Sequence, residues 1–454
     1  MSAPRRSLGG LHATAVVIGA IIGVGIFLTP GKVAAVAGSA EGALLLWAAG
    51  GVIALAGALS MAEIGARFPT SGGEIVALQR MLGPLPAFLF GWCLLTAIQT
   101  GVLVIVTLFA AQNLAAAAGA GWEAGAVSGA ATAMLAALMA VNLLGVRQGA
   151  AAQTTTVALK LLALAALTAV GAYVALGGEQ AAPVAVPAAT AAPAEGVPWL
   201  AGLAACLFSY GGFHQVTWVG GEVRDPQRVL PRAILVGVVI VVVSYLAANL
   251  TYFGLLPFEV VTASSTLAAD AVGTVLPGWG RRITAAALAV SAFGLANTLL
   301  LTSPRVYFAL AQEGLFHRAL GRLDGGRAVP AAAIWLQGGL AIVLLWVAGG
   351  EAMDQLVNGV VFLDWIFHLL ACAGLILVWR RGEPSPGFRA PAMPLPPLVF
   401  VLGTLVALGA TFLDPAVRRS SLLGLVWVGA GCLVYFLVLR RRGLNPPAGG
   451  PKRD

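Results

Sequence analysis

Two apolar stretches of this chain are interrupted by glycine where a membrane helix should run on. The first is Gly19-Ala20-Ile21-Ile22-Gly23-Val24-Gly25-Ile26-Phe27-Leu28-Thr29-Pro30, about midway through the first apolar segment. The second is Phe208-Ser209-Tyr210-Gly211-Gly212-Phe213, midway through the sixth. A backbone that leaves the helix inside a bilayer has unpaired amides and carbonyls that lipid cannot satisfy, so they must face protein, water or a solute. Two such breaks at corresponding places in two halves of a chain mark the binding site of a secondary transporter.

The surrounding composition requires a membrane. Of 454 residues, 59% are hydrophobic and 10% charged, against roughly 25% charged in a soluble domain. Twelve apolar spans are expected, at about 12–36, 42–66, 84–118, 123–145, 154–178, 198–220, 231–256, 281–312, 329–349, 354–379, 393–413 and 419–441, each near the ~20 residues that cross the hydrocarbon core. The third and eighth are long enough to tilt or project. A short amphipathic piece, Gly73 to Leu82, precedes the third. The stretch 179–197, rich in Ala and Pro, reads as an exposed loop. No cleavable leader is expected, because Pro30 and Lys32 stand where a small-residue cleavage motif would lie. Cys93, Cys206, Cys372 and Cys432 all fall in apolar segments and read as small buried residues.

The basic residues set the orientation. With a cytoplasmic N-terminus, Arg281, Arg282, Arg418 and Arg419 fall outside, and Lys32, Lys160 and Arg305 fall within spans. The other nineteen of the 26 lysines and arginines fall inside, which places both termini in the cytoplasm. Their scatter between spans, despite a net charge of +8, gives no nucleic-acid surface. The breaks lie in spans one and six. Five spans separate them, an odd number, so the second group of five enters the membrane upside down. The expected organisation is an N-terminal tail (1–11), a first five-helix repeat (12–178), an external loop (179–197), a second inverted repeat (198–379), two further helices (380–441) and a cytoplasmic tail (442–454).

Gly23 and Gly25 permit non-helical dihedrals. The half-helix that restarts there presents free amides to a carboxylate. Close packing of small residues against a neighbouring span is the competing explanation. The second break favours the first reading, since carbonyls released near Ser209 to Gly212 attract an ammonium group. Receptors for an anion and a cation side by side match a zwitterion, of which free amino acids are the commonest.

These residues resemble a known family. Gly23-Val24-Gly25-Ile26-Phe27 is similar to the Gly-Ser-Gly-Ile-Phe signature of the amino acid–polyamine–organocation (APC) superfamily. Residues 208–213, with Gly221-Glu222-Val223-Arg224-Asp225-Pro226-Gln227-Arg228 and Leu230-Pro231-Arg232-Ala233-Ile234, resemble the sixth span and next loop of its L-type amino acid transporter branch. Ser291-Ala292-Phe293-Gly294, Arg305 to Gly314, and Pro69-Thr70-Ser71-Gly72-Gly73-Glu74 resemble further segments of that branch. The similarity covers spans one to ten and weakens over the last two.

The resemblance implies an all-α, LeuT-like 5+5 inverted repeat with discontinuous helices one and six. It implies that the amides of Val24 and Gly25 hold the substrate carboxylate. The carbonyls of Ile21, Phe208, Ser209 and Gly211 would hold the amino group, and the Phe208 ring would cap the site as an outer gate. Val24 departs from the usual serine and removes a hydroxyl. Phe213 stands where the branch often has tryptophan, with His214 beside it, so side-chain specificity is expected to differ.

Lys160, within span five, fits two readings. It either snorkels toward the cytoplasmic end of its span or serves function at depth. By resemblance, sodium-independent members place a lysine here where sodium-coupled relatives bind the ion. Its ammonium is then expected at a carbonyl of the unwound part of span one, that of Gly23, with proton-linked transport a further possibility. Among acidic residues only Glu63 and Asp364 fall plausibly within spans, and neither appears close to the breaks in sequence. Lacking a carboxylate for a cationic side chain, the site is expected to take neutral amino acids. Cationic amino acids or polyamines are the alternative, and Asp364 either reaches into the site or, the favoured reading, is a capped polar residue of span ten. Glu63 and Arg305 are expected near cytoplasmic span ends, paired with each other or, for Arg305, with Glu222, as an inner gate. His214 and His368 read as hydrogen-bonded structural histidines.

An intramembrane enzyme would need a nucleophile or metal set, and no His-Glu-x-x-His or Gly-x-Ser-x-Gly occurs. Gly31-Lys32 lacks phosphate-loop spacing. A channel would need a continuous polar path, whereas polarity here is confined to one depth. The expectation is a neutral amino acid permease working by alternating access. It is expected to be sodium-independent, multi-pass in the cytoplasmic membrane, without cofactor or metal. No partner subunit is indicated.

Overall fold

The computed structural model of the chain describes residues 5–178, 199–264, 266–347, 350–413 and 415–439. The expected loop at 179–197 and tail at 442–454 lie outside the described residues. Among those described, regular structure is helical, with only two isolated bridges, Leu8 to Val223 and Ser71 to Val219.

The first apolar segment folds as α1 (Gly10–Ile21), a break at 22–24, α2 (Gly25–Leu28) and α3 (Pro30–Ala37). Pro30 begins α3, where a missing amide costs nothing, and Gly38 closes it in the left-handed region. Ser39 caps α4 (Ala40–Arg67) by accepting from the amide of Gly42 at 3.0 Å. The amphipathic α5 (Gly73–Leu82) has the bounds expected from sequence. It is followed by α6 (Pro84–Cys93), a π-helical stretch (Leu94–Ile98) and α7 (Gln99–Ala118). Then come α8 (Ala124–Leu144) and α9 (Val146–Ala175).

The second half mirrors this in kind. A helix α10 (Ala201–Tyr210) stops, and the chain restarts as α11 (Gln215–Trp218) and a 3-10 turn (Gly220–Glu222). The long α12 (Pro226–Leu255) follows, then short α13 (Phe258–Ala263) and α14 (Leu267–Gly273), and α15 (Gly280–Gln312). Helices α16 (Ala331–Val347), α17 (Gly350–Arg380), α18 (Leu395–Thr411) and α19 (Pro415–Val434) complete the bundle. Among the described residues nine helical segments are long and apolar enough to cross a membrane, and α10, α16 and α18 are shorter apolar helices.

Two boundaries differ from the sequence reading. The fifth span begins at Val146 rather than near 154, because Thr154, Thr155 and Thr156 turn their hydroxyls onto carbonyls three or four residues back and do not end the helix. Lys160 is therefore well inside α9. The sixth span stays helical through Tyr210, so its break is Gly211–His214 and starts after Ser209, not at it.

Helix α7 packs along α15 and α4 along α12, while α1 lies against α9 and α12. Trp47 of α4 is fully buried and meets the rings of Tyr210 and Tyr245 edge-on at 5.6 and 5.8 Å. The lipid-exposed faces of α18 and α19 carry leucines and valines, as a membrane requires.

One end of the bundle is closed by backbone. The amides of Ser7 and Leu8 donate to the Glu222 carbonyl, and that of Gly72 to Trp218. Beneath these bonds Arg305 of α15 pairs with Glu222 at 3.2 Å, both side chains about fully buried. Glu63 pairs instead with Arg67 at 2.8 Å and accepts from the amide of Ala390, so of the two pairings open to Arg305 the fold uses the one with Glu222. Breaking a buried pair leaves a charge uncompensated at a cost of about 3–5 kcal/mol, whereas replacing both partners is far milder. Arg305→Met alone should therefore lower the thermal unfolding midpoint of the purified protein by several degrees, and Arg305→Met with Glu222→Gln should recover most of it. A double variant no more stable than the single one would show that the pair is not the source of the loss.

A candidate solute site between two interrupted helices

The two breaks meet. A cavity of about 110 Å³ is bounded on one side by Ala20, Ile21, Gly23, Val24 and Gly25 and on the other by Phe208, Ser209, Gly211 and Gly212. Two glycines set how near these backbones approach. A Cβ on Gly25 would lie 3.0 Å from the Cα of Ser209, and one on Gly212, whose φ is +106°, would lie 2.5 Å from the carbonyl oxygen of Ala20. Thr29 and Ser209 tie the breaks together through their hydroxyls at 2.8 Å.

At the first break, three consecutive carbonyls leave the helical ladder and each receives a side-chain donor from a different helix. Tyr245 of α12 donates to Ile21 at 3.1 Å. Lys160 of α9 donates to Ile22 at 2.6 Å and to Gly19 at 3.3 Å. Ser291 of α15 donates to Gly23 at 3.0 Å. The Lys160 ammonium thus reaches Ile22 and Gly19, not Gly23, which the shorter serine already serves. With 3% exposure, Lys160 points into the bundle and does not snorkel. The Ile21 carbonyl also accepts from the Gly23 amide at 2.8 Å, so with Tyr245 both its lone pairs are used.

The restarted helix accepts its first bonds late. The amides of Phe27 and Leu28 are the first to return, both to the carbonyl of Val24. Those of Val24 and Gly25 precede that turn and belong to the cavity side. At the second break Gly211 is extended and its amide donates to Phe208 at 3.3 Å. The Phe208 ring is half-buried and lines the cavity, whereas Phe213 is 1% exposed, packs on Phe400 and His214, and does not reach it.

The remaining walls come from helices that sequence reasoning did not single out. Ile98, Gln99 and Val102 come from the π-helical stretch and the start of α7, Leu295 and Leu299 from α15, and Gln215 from α11. The π turn is a local signal that lies outside any hydropathy count. Helix α17 adds Trp365 and Asp364. Asp364 corrects the expectation of a site without a carboxylate. It stands far from both breaks in sequence but on the same cavity, and it faces Nε2 of His368 at 3.2 Å.

This arrangement offers backbone donors on one face, backbone acceptors opposite, and a largely apolar remainder, which suits a small dipolar solute with an apolar side chain. Gly25→Ala places a methyl against the backbone of Ser209, so it should cut transport by at least roughly tenfold, as 1 Å misplacements at ligand sites do, while the purified protein still unfolds cooperatively. Uptake at the unaltered rate would show that the close approach of the two breaks is unimportant.

The chain's relatives were found along its whole length. The family described as amino acid permease matches residues 8–438, so the match runs on through α18 and α19, further than the motif residues reach. The serine/threonine exchanger SteT of Bacillus subtilis (strain 168) is 28% identical over 444 residues, covering 96% of this chain and 98% of that one. The b(0,+)-type amino acid transporter 1 of Homo sapiens is 29% identical over 451 residues, 95% of this chain and 88% of the relative. The large neutral amino acids transporter small subunit 2 of Homo sapiens is 32% identical over 440 residues, 95% of this chain and 80% of the relative. With its interrupted helices, the cavity they share and a family match over residues 8–438, the chain belongs to the amino acid permease family of membrane transporters.

Proposed function

We propose that the chain is a twelve-span permease with a LeuT-like inverted repeat, both termini cytoplasmic, that carries neutral L-amino acids across the cytoplasmic membrane by alternating access. The observation that carries this reading is that the backbones of both interrupted helices line one cavity. In it, the amides of Val24 and Gly25 hold the substrate carboxylate. The carbonyls of Phe208, Ser209 and Gly211 hold the ammonium, Gly23 allows the turn, and Ile21, whose carbonyl already accepts from Tyr245 and from the Gly23 amide, lines the site. Phe208 closes the site from outside. Phe213 acts at one remove, by setting the position of His214 and Gln215.

The twelve-span count is supported by the three shorter apolar helices that complete the nine longer ones. The inverted repeat is supported by breaks at α1–α2 and α10–α11, five spans apart. In this orientation the Leu8–Val223 bridge and the Arg305–Glu222 pair form the inner gate, and Glu63 anchors the loop before α18 to the end of α4. A lysine ammonium bonded to two carbonyls of the first break occupies the place a sodium ion would need, which supports sodium-independent exchange or proton-linked uptake. No bound cofactor, metal or partner subunit enters this reading. A second reading, cationic amino acids, is favoured by Asp364 alone, whose carboxylate a cationic side chain could engage in place of His368.

Ligand binding to the folded state raises stability by mass action, by about 2.7 kcal/mol at a hundredfold excess over Kd. Screening the twenty amino acids for an upward thermal shift of the purified protein should therefore pick out a set of neutral ones. Selective stabilisation by arginine and lysine would move the assignment to the second reading, and no shift with any of them would remove both. Replacing sodium by choline should leave the initial uptake rate within about twofold, because binding energy comes from lysine and not from a bound ion. Strict dependence on sodium would refute that part.

A further inference from the structure

Behind the substrate cavity lies a cluster of titratable side chains. His368 of α17 stands between two carboxylates: its Nδ1 is 2.7 Å from Oε1 of Glu74 on α5, and its Nε2 is 3.2 Å from Oδ2 of Asp364. The His214 ring lies against that of His368, with centroids 3.7 Å apart and planes at 37°. Glu74, His214 and His368 are each 0–2% exposed. Asp364 alone reaches the cavity. Around them, Phe90 of α6, Trp218 of α11 and Trp365 of α17 form an aromatic wall.

The ligand atoms of Glu74, His214 and His368 are close enough for a metal ion, all within 4.8 Å of one another. Their directions suit something else. A metal needs in-plane lone pairs that converge on one point. Here both nitrogens of His368 already face carboxylates on opposite sides, and His214 meets it ring on ring. An imidazole with a carboxylate at each nitrogen is an arrangement that can hold a proton, and the stacked His214 ring is its neighbour. Were both carboxylates ionised and one imidazole protonated, the cluster would carry a net charge of −1 in a low-dielectric interior, which is costly. One more proton cancels it. Unpartnered groups remain: Asp364 Oδ1, Glu74 Oε2, Nε2 of His368 and both nitrogens of His214, one of which accepts while the other carries the ring's proton, have no hydrogen-bond partner among the described residues.

We propose that Asp364, His368, Glu74 and His214 form the proton-binding site of the transporter, loaded through Asp364 from the same cavity that holds the amino acid. This rests on the transport function proposed above and assigns its coupling ion. Only N–H and O–H bonds change. A hydronium in the cavity gives its proton to Asp364 and leaves water, the proton is shared along Asp364, His368 and Glu74 beside the stacked ring of His214, and the same proton returns to water on the other side. Coupling requires that the two transport states bind the proton unequally, and the fold supplies a reason. Glu74 and His214 are carried by segments bonded to each other, through the Gly72 amide to the Trp218 carbonyl at 2.8 Å and the Glu74 amide to the Thr217 hydroxyl at 3.3 Å. His368 and Asp364 belong to α17. Movement of the α5–α11 pair against α17 separates His368 from Glu74 and His214, so the site changes its proton affinity as the bundle rocks. From its own helix Cys372 also faces Glu74, and from α4 Ser60 is buried nearby; neither carries charge.

The test uses the purified protein in sodium-free proteoliposomes containing the pH dye pyranine, with an equimolar mixture of the twenty L-amino acids added outside. The lumen of wild-type vesicles should acidify on addition. Glu74→Gln and His368→Gln should each slow that acidification by at least roughly fivefold, the lower end of ordinary coupling between sites, while counterflow of the radiolabelled mixture at equal pH persists. Wild-type vesicles that show counterflow without acidification would overturn the proposal, as would full acidification by both variants, which would move the proton elsewhere. Absence of counterflow in the wild type would instead strike at the transport reading itself. If the glutamine variants do not fold, His214→Asn, which removes only the stacked imidazole, must shift the pH midpoint of wild-type uptake, and an unmoved midpoint would sink the idea.

Discussion

The constraint behind this structure is that three consecutive carbonyls at 21–23 leave the helix inside a membrane and must each find a donor. In water the solvent would serve. In hydrocarbon every unsatisfied group costs several kcal/mol, so the break exists only because Tyr245, Lys160 and Ser291 supply one donor each. These come from α12, α9 and α15, three helices that surround the first span and are remote from one another in sequence. The break is thus a property of the assembled bundle more than of the glycines within it. Glycine makes the turn possible and the three donors make it tolerable.

A second consequence concerns which polar groups remain for a solute. The carbonyls of Ile22 and Gly23 are turned outward to the scaffold and spoken for. What lines the cavity is the complementary part of both breaks: Gly23, Val24 and Gly25 before the next helical turn, and Phe208, Ser209, Gly211 and Gly212 at the end of α10. Side chains contribute little, which explains why Val24 in place of a hydroxyl residue leaves the cavity's backbone donors in place.

Much of this was legible in the sequence. Residues 19–30 and 208–213 announce the two breaks through glycine inside apolar runs, and Lys160 announces itself as a charge at depth. The pairing of each was not legible. Lys160 goes to Ile22 because Ser291 has already taken Gly23, a competition settled by where α15 lies. Asp364 was discounted since proximity in sequence was the only proximity visible; its entry into the cavity depends on how α17 packs. Phe213 was expected in the cavity by its neighbourhood in the chain, but the break ends only at His214, which rotates that ring toward Phe400. His214 and His368 were read as separate structural histidines, and nothing local in either segment says that they stack.

Three buried charges therefore govern what the bundle can do. Lys160 is held by backbone carbonyls, Arg305 by Glu222, and His368 by Glu74 and Asp364. Each joins an interrupted span, or a segment bonded to one, to a helix that runs unbroken. Rocking the interrupted spans while leaving any of these charges unpaired would cost more than a typical conformational change can supply. The bundle must then move in steps that open one charged contact only when water, substrate or a proton is present to replace it. A carrier, unlike a pore, needs that rule. On the proposed function a zwitterion would meet the requirement at the breaks and water would meet it at Arg305, while at His368, ringed by Phe90, Trp365 and the Trp218-packed His214, the proposed proton would.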